Sequence, residues 1–122
     1  MPSPPVCVAA DADPAVRALL VTVLSRAGFD VRPLAGPWEL GTAPLDGVAL
    51  MVLGGRGHGV SPADAARDLR AAGNPTPVVI LVNLPDPGAT SLAAADPTVR
   101  LVAKPFLPAD LTAAVAGLLG RG

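Results

Sequence analysis

Tyrosine is missing altogether, and Phe29, Trp38 and Phe106 are the only aromatic residues, 2% of the chain. That scarcity argues against the stacking platforms on which single-stranded nucleic acids lie. Charge of one sign is missing as well. Nine basic residues face ten acidic ones, a formal net charge of -1, which leaves no electrostatic footprint for nucleic acid or a membrane surface. No apolar run approaches the roughly 18 residues needed to span a bilayer. Met1 to Pro5 has neither the basic region nor the apolar core of a signal peptide. These absences set the expectation of a cytoplasmic protein that binds neither nucleic acid nor membrane directly. The single cysteine rules out an internal disulfide, and its place in Val6-Cys7-Val8-Ala9-Ala10 reads as a buried thiol. Lysine is nearly absent too: eight of the nine basic residues are Arg, and the exception is Lys104. Either chance put it there, or that position suits a compact ammonium better than a planar guanidinium.

What is present begins with Ala49-Leu50-Met51-Val52-Leu53, an apolar run that opens into Gly54-Gly55-Arg56-Gly57-His58-Gly59. Such a run reads as a strand buried on both faces, emptying into a loop at its carboxyl end. In an open α/β sheet that loop is where a site forms. The residue at the strand's end, Gly54, has no side chain to offer.

The remaining segments alternate strand and helix. Val6 to Ala10 is a short strand ending at Asp11-Ala12-Asp13-Pro14, where Asp13 caps a helix that has Pro14 at its first position. Val16, Leu19, Leu20, Val23, Leu24 and Ala27 recur at spacings of three and four, so this helix lays one face on a sheet until Gly28 stops it. Phe29 to Leu34 is a second strand. Pro37-Trp38-Glu39-Leu40 starts a helix that Gly41 and Pro44 cut to about a turn. Trp38 reads as a lid over the sheet's edge or as an exposed anchor for a partner. Ser61-Pro62 repeats the cap-then-Pro pattern for a helix carrying Ala65, Ala66, Leu69 and Ala72. Val78 to Val82 is a β-branched strand, Ala89 to Ala95 a short helix, and Val99 to Ala103 the fifth strand. A last helix runs from Pro108 to Leu119 with Leu111, Val115, Leu118 and Leu119 as its buried stripe. The 122 residues make one domain, with residues 1–5 as a flexible lead. Five βα units in succession require parallel pairing with right-handed crossovers, which gives a doubly wound (βα)5 sheet.

These residues resemble the receiver domains of bacterial response regulators. Val8-Ala9-Ala10-Asp11-Ala12-Asp13-Pro14 is similar to the acidic end of that family's first strand, and Lys104-Pro105-Phe106 to its Lys-Pro motif after the fifth. Gly54 follows Asp11 by 43 residues and precedes Lys104 by 50, which sets it where receivers carry the phosphoacceptor aspartate. The resemblance implies a flavodoxin-like parallel five-stranded sheet of order 2-1-3-4-5, and a cis bond before Pro105.

The resemblance also implies a site whose chemistry is well defined. A carboxylate accepts the phosphoryl group, Mg²⁺ neutralises its oxygens, a Lys holds one of them, and a hydroxyl on the fourth strand moves toward it. In this chain Gly54 has no nucleophile, Ala12 stands where an inner metal-binding carboxylate belongs, and Val82 replaces the hydroxyl. Leu101 replaces a switching aromatic. Asp11, with or without Asp13, is a poor set for Mg²⁺, which demands near-octahedral oxygen ligation, so metal binding is expected to be weak or absent. Asp11, Lys104 and Pro105 are what remains of the pattern. Asp11 and Lys104 also read as a plain ion pair, Asp13 as a helix cap, and His58 as a solvated loop residue. The expectation is a non-enzymatic, receiver-like domain of the two-component type that signals by contact, without aspartyl phosphorylation. It would bind a partner or itself, as a homodimer, through the face of its fourth helix, fifth strand and last helix. Leu107 leaves the last helix without a capping side chain on that face. Two other readings stand beside it: an anion-binding pocket of Gly55, Arg56, His58 and Lys104, and phosphoryl uptake on Asp11, Asp13 or His58.

Overall fold

The β-branched and aliphatic runs form five parallel strands in the order β2-β1-β3-β4-β5. In the computed structural model, which describes residues 3–120, they are β1 (Val6–Asp11), β2 (Asp30–Leu34), β3 (Val48–Gly54), β4 (Val78–Val82) and β5 (Val99–Ala103). Helices α1 (Pro14–Arg26), α2 (Pro62–Ala71), α3 (Pro87–Ala95) and α4 (Pro108–Leu119) cover both faces. Period-two alternation along each strand divides the core into two layers. Val8, Met51, Leu53, Ile80 and Val82 pack with Ala66, Leu69 and Ala89 under α2 and α3. Cys7, Ala9, Leu50, Val52, Val79 and Leu81 pack with Leu20, Leu24, Leu111 and Val115 under α1 and α4. Burial pushes the Cys7 thiol up to about 12. Among the described residues no helix is long and apolar enough to cross a membrane.

Three expectations are corrected. The (βα)5 repeat is incomplete: the crossover from β2 to β3 holds only a 3₁₀ turn, Pro37–Glu39, so four helices accompany five strands. Gly41 and Pro44 remove the propensity a longer helix would need. Helix α3 starts two residues before Ala89, because Asp86 accepts the Ala89 N–H at 3.1 Å and Pro87 takes the first position, the arrangement Asp13 and Ser61 use in α1 and α2. The apolar stripe of α1 is narrower than its periodicity: Leu19 is 38% exposed and Ala27 lies in the solvent-facing C-cap. Helix α4 does lack a capping side chain at Leu107, yet Asp110 reaches back to accept the Leu107 N–H at 2.8 Å. Met1 and Pro2, from the segment expected to be flexible, and Arg121 and Gly122 lie outside the described residues. The Pro5 carbonyl accepts the Asp30 N–H at 2.8 Å, which ties that lead to β2.

Candidate functional site at the carboxyl edge of the sheet

Parallel register sets Asp11, the last residue of β1, directly beside Gly54, the last of β3. Both positions continue the alternation that faces α1 and α4, so side chains at 11 and 54 compete for one volume. Asp11 takes it. A Cβ built on Gly54 would collide with Asp11 Oδ2 and come within 3.1 Å of both Asp11 Cγ and Leu81 Cβ. The carboxylate of β1 thus fills the space that a side chain at the end of β3 would enter.

The carboxylate is fully buried and held at both oxygens. Oδ1 accepts the Asp13 N–H at 2.8 Å. Oδ2 accepts no well-aligned hydrogen bond, and the Lys104 Nζ lies 2.9 Å from it as an ion-pair partner. The Lys104 side chain is only 16% exposed, so each charge is the other's main compensation. Lys104 is positioned by its backbone, which donates to the Val82 carbonyl at 2.7 Å, and by the cis bond to Pro105. Arg17 braces the strand end from outside, donating to the Asp11 carbonyl at 2.8 Å and to that of Ala35 at 3.3 Å.

The structure therefore joins Asp11, Gly54, Lys104 and Pro105. The other expected residues go elsewhere. Asp13 is exposed and caps α1, accepting the Ala15 N–H at 2.8 Å. Ala12 packs against Gly55, whose φ of +73° and lack of a Cβ permit the close approach. Val82 points into the α2 and α3 layer. His58 sits 4.6 Å, ring to ring, from Trp38. Trp38 itself covers Gly36 and Gly57, at both of which a Cβ would strike its ring. It is half-buried, closer to the lid than to the free anchor.

The anion set of Gly55, Arg56, His58 and Lys104 is consequently split. Lys104 is spent on Asp11 and His58 on Trp38, while Gly55 and Arg56 line a neighbouring cleft of about 470 Å³ between the β3–α2 and β4–α3 loops. Arg67, Asn83 and Asp86 also line it and were not singled out from the sequence. For Asp86 the signal was there, in the Asp-Pro pair that starts α3; Arg67 and Asn83 carried none. The donor set for Mg²⁺ does not fit either. Asp11 is committed on both oxygens, Ala12 and Gly54 contribute none, and no group of three His, Cys, Asp or Glu side chains suited to a metal occurs among the described residues.

No protein-family model matches the chain, and no curated protein does. Solved structures do. A CheY-like response regulator receiver domain protein from Methanospirillum hungatei superposes with a TM-score of 0.82 at 15% identity, over 96% of its own length and 98% of this chain. A receiver domain from Clostridium thermocellum gives 0.80 at 17% identity, covering 95% of that protein and 96% of this one. A response regulator receiver domain from Francisella gives 0.76 at 21%, with 98% of each chain covered. The chain has the receiver fold.

Proposed function

We propose that this chain is a receiver-like signalling domain of the two-component type that works by protein contact and not by aspartyl phosphorylation. One observation carries the reading: the acceptor position is Gly54, and the volume beside it is filled by the buried Asp11 carboxylate paired with Lys104. A phosphoryl group has no nucleophile to attach to there, and Lys104 is already committed to Asp11. The same commitment of Asp11 and the missing donors at Ala12 and Gly54 support a domain that needs no Mg²⁺ and catalyses no reaction. Its setting is the cytoplasm.

The contact surface is the face of α3, β5 and α4, the counterpart of the fourth-helix, fifth-strand and last-helix face. Leu84, 61% exposed at the entry to α3, and Leu107, 68% exposed at the entry to α4, are two of the three exposed large apolar side chains among the described residues. Leu84 follows β4 and Leu107 follows β5, its neighbour in the sheet, and Leu84 borders an open apolar groove with Pro85, Pro87 and Ala94. Exposed Leu at two neighbouring loop tips suits a protein interface better than bulk water. The occupant is a partner protein or a second copy of this chain. Sedimentation equilibrium tests the reading: the association state, alone or with a captured partner, stays the same with acetyl phosphate and Mg²⁺ and is lost in Leu84→Asp/Leu107→Asp. Association that appears only on phosphoryl transfer would overturn it.

A further inference from the structure

The cleft beside the Asp11 and Lys104 pair has charge features that the contact reading does not use. Its floor is the buried end of β4, at Leu81 and Val82, and the exposed rings of Pro85 and Pro87 give it an apolar wall. Four ionisable side chains stand round this floor: Arg56 and Arg67, and Asp64 and Asp86. None is ion-paired to another, since the only ion pairs within 4.0 Å among the described residues are Arg70 with Asp96 and Lys104 with Asp11. Opposite charges have been brought to one cavity and left apart. We infer that this cleft binds a small zwitterionic molecule with an apolar body, its carboxylate meeting Arg56 on the β3–α2 loop and its ammonium meeting Asp86 on the β4–α3 loop.

Each part of that ligand answers a feature of the cleft. Arg56 has no hydrogen-bond partner among the described residues, and its planar fork suits a carboxylate. Arg67 donates to the Gly88 carbonyl at 2.7 Å, which pulls it across the cleft toward α3 and leaves its other N–H groups to the cavity. Asp64 and Asp86 each give an oxygen to a helix start, accepting the Ser61 N–H at 3.1 Å and the Ala89 N–H at 3.1 Å. Those bonds fix both carboxylates in place and leave lone pairs for an ammonium. The Ser61 N–H is the main reason the Asp64 carboxyl lies below its usual range, with Arg56 and Arg67 adding to it. Two acids at the wall count against polyphosphates, and two arginines count against simple amines. About 470 Å³ falls within the usual span for small-molecule sites, roughly 300–1,000 Å³.

The loop that carries Arg56 is held before any ligand arrives. Gly57 and Val60 exchange backbone hydrogen bonds of 3.2 and 2.9 Å across the loop that carries Arg56. Trp38 clamps that loop at Gly57 and His58. Binding therefore costs little ordering of the backbone. The inference does not depend on whether the domain can be phosphorylated.

The test is titration of the full chain with three probes sharing one phenyl body, followed by amide chemical shifts. L-phenylalanine carries both charges, 3-phenylpropionate only the carboxylate, and phenethylamine only the ammonium. L-phenylalanine is expected to shift Gly55, Arg56, Asn83 and Gly88 saturably, with each singly charged probe at least fivefold weaker. Arg56→Ala, an exposed loop change, is expected to weaken L-phenylalanine at least tenfold. Asp86→Asn, which keeps a side chain able to cap α3, is expected to reduce the preference for L-phenylalanine over 3-phenylpropionate. Equal binding of the three probes, L-phenylalanine shifts that survive Arg56→Ala, or no saturable shift at all would overturn the inference.

Discussion

Placing a single methyl group at position 54 tests the packing at the sheet edge directly. Gly54 does not have a positive φ, so alanine can adopt its backbone without strain. On that ground alone Gly54→Ala would stabilise the domain by about 0.4–1 kcal/mol, by restricting the unfolded chain. The structure predicts the opposite sign. The new Cβ overlaps Asp11 Oδ2 and crowds Leu81 Cβ at 3.1 Å, in a place where neither neighbour is exposed. Asp11 is a short side chain, but moving it strains both the bond from the Asp13 N–H and the pair with Lys104. Overpacking of a tight core costs about 1–3 kcal/mol. With the displaced carboxylate added and the unfolded-state gain subtracted, the net loss is about 2 kcal/mol, or about 8 °C in Tm for a domain of this size. Trp38, the only tryptophan, reports the unfolding by fluorescence, and far-UV circular dichroism checks that the whole domain melts with it. In an Asp11→Ala background the same methyl should be nearly neutral, the coupling expected of groups that share one space. Gly54→Ala as stable as the parent, or more so, would refute the claim that Asp11 fills that volume.

Other groups in the fold give expected outcomes of their own. The Cys7 thiol, buried and pushed up to about 12, should resist thiol reagents at pH 8 while folded and react at an ordinary rate in denaturant. The Asp96 carboxyl is held below its usual range, first by the Thr98 hydroxyl and then by the Thr98 N–H and Arg70. A depressed folded-state pKa stabilises above the unfolded carboxylate range, near pH 4, and that contribution fades as pH falls through the folded value. Acid melts of Asp96→Asn should therefore lose less stability below about pH 4 than the parent does, and an unchanged acid limb would count against the network. Replacing Trp38 by Leu should free the loop at Gly57 and His58 and raise amide exchange from Gly55 to Val60, with little change in β4 or β5.

Most of the framework could be read from the sequence because its signals are local. Strands β3 and β4 are unbroken apolar runs, and Asp13-Pro14 and Ser61-Pro62 announce helix starts by their own chemistry. Asp86-Pro87 announces one in the same way, although Gly88 disguises it as loop. The reduced second crossover was legible in Gly41 and Pro44. The candidate site was legible only in part. The Asp11 and Lys104 pair and the bare Gly54 follow from position along the chain. That Asp11 enters the volume beside Gly54 depends on the β1 and β3 register, which no local pattern carries. The contact of His58 with Trp38, and the cleft that Arg56 shares with Arg67, depend on packing between segments distant in the chain, which no local pattern carries.

The most direct test of the central claim is the intact mass of the chain after incubation with acetyl phosphate and Mg²⁺. The account predicts an unmodified mass, because neither Gly54 nor the committed Asp11 offers an acceptor. A stable gain of one phosphoryl group on the parent chain would contradict it.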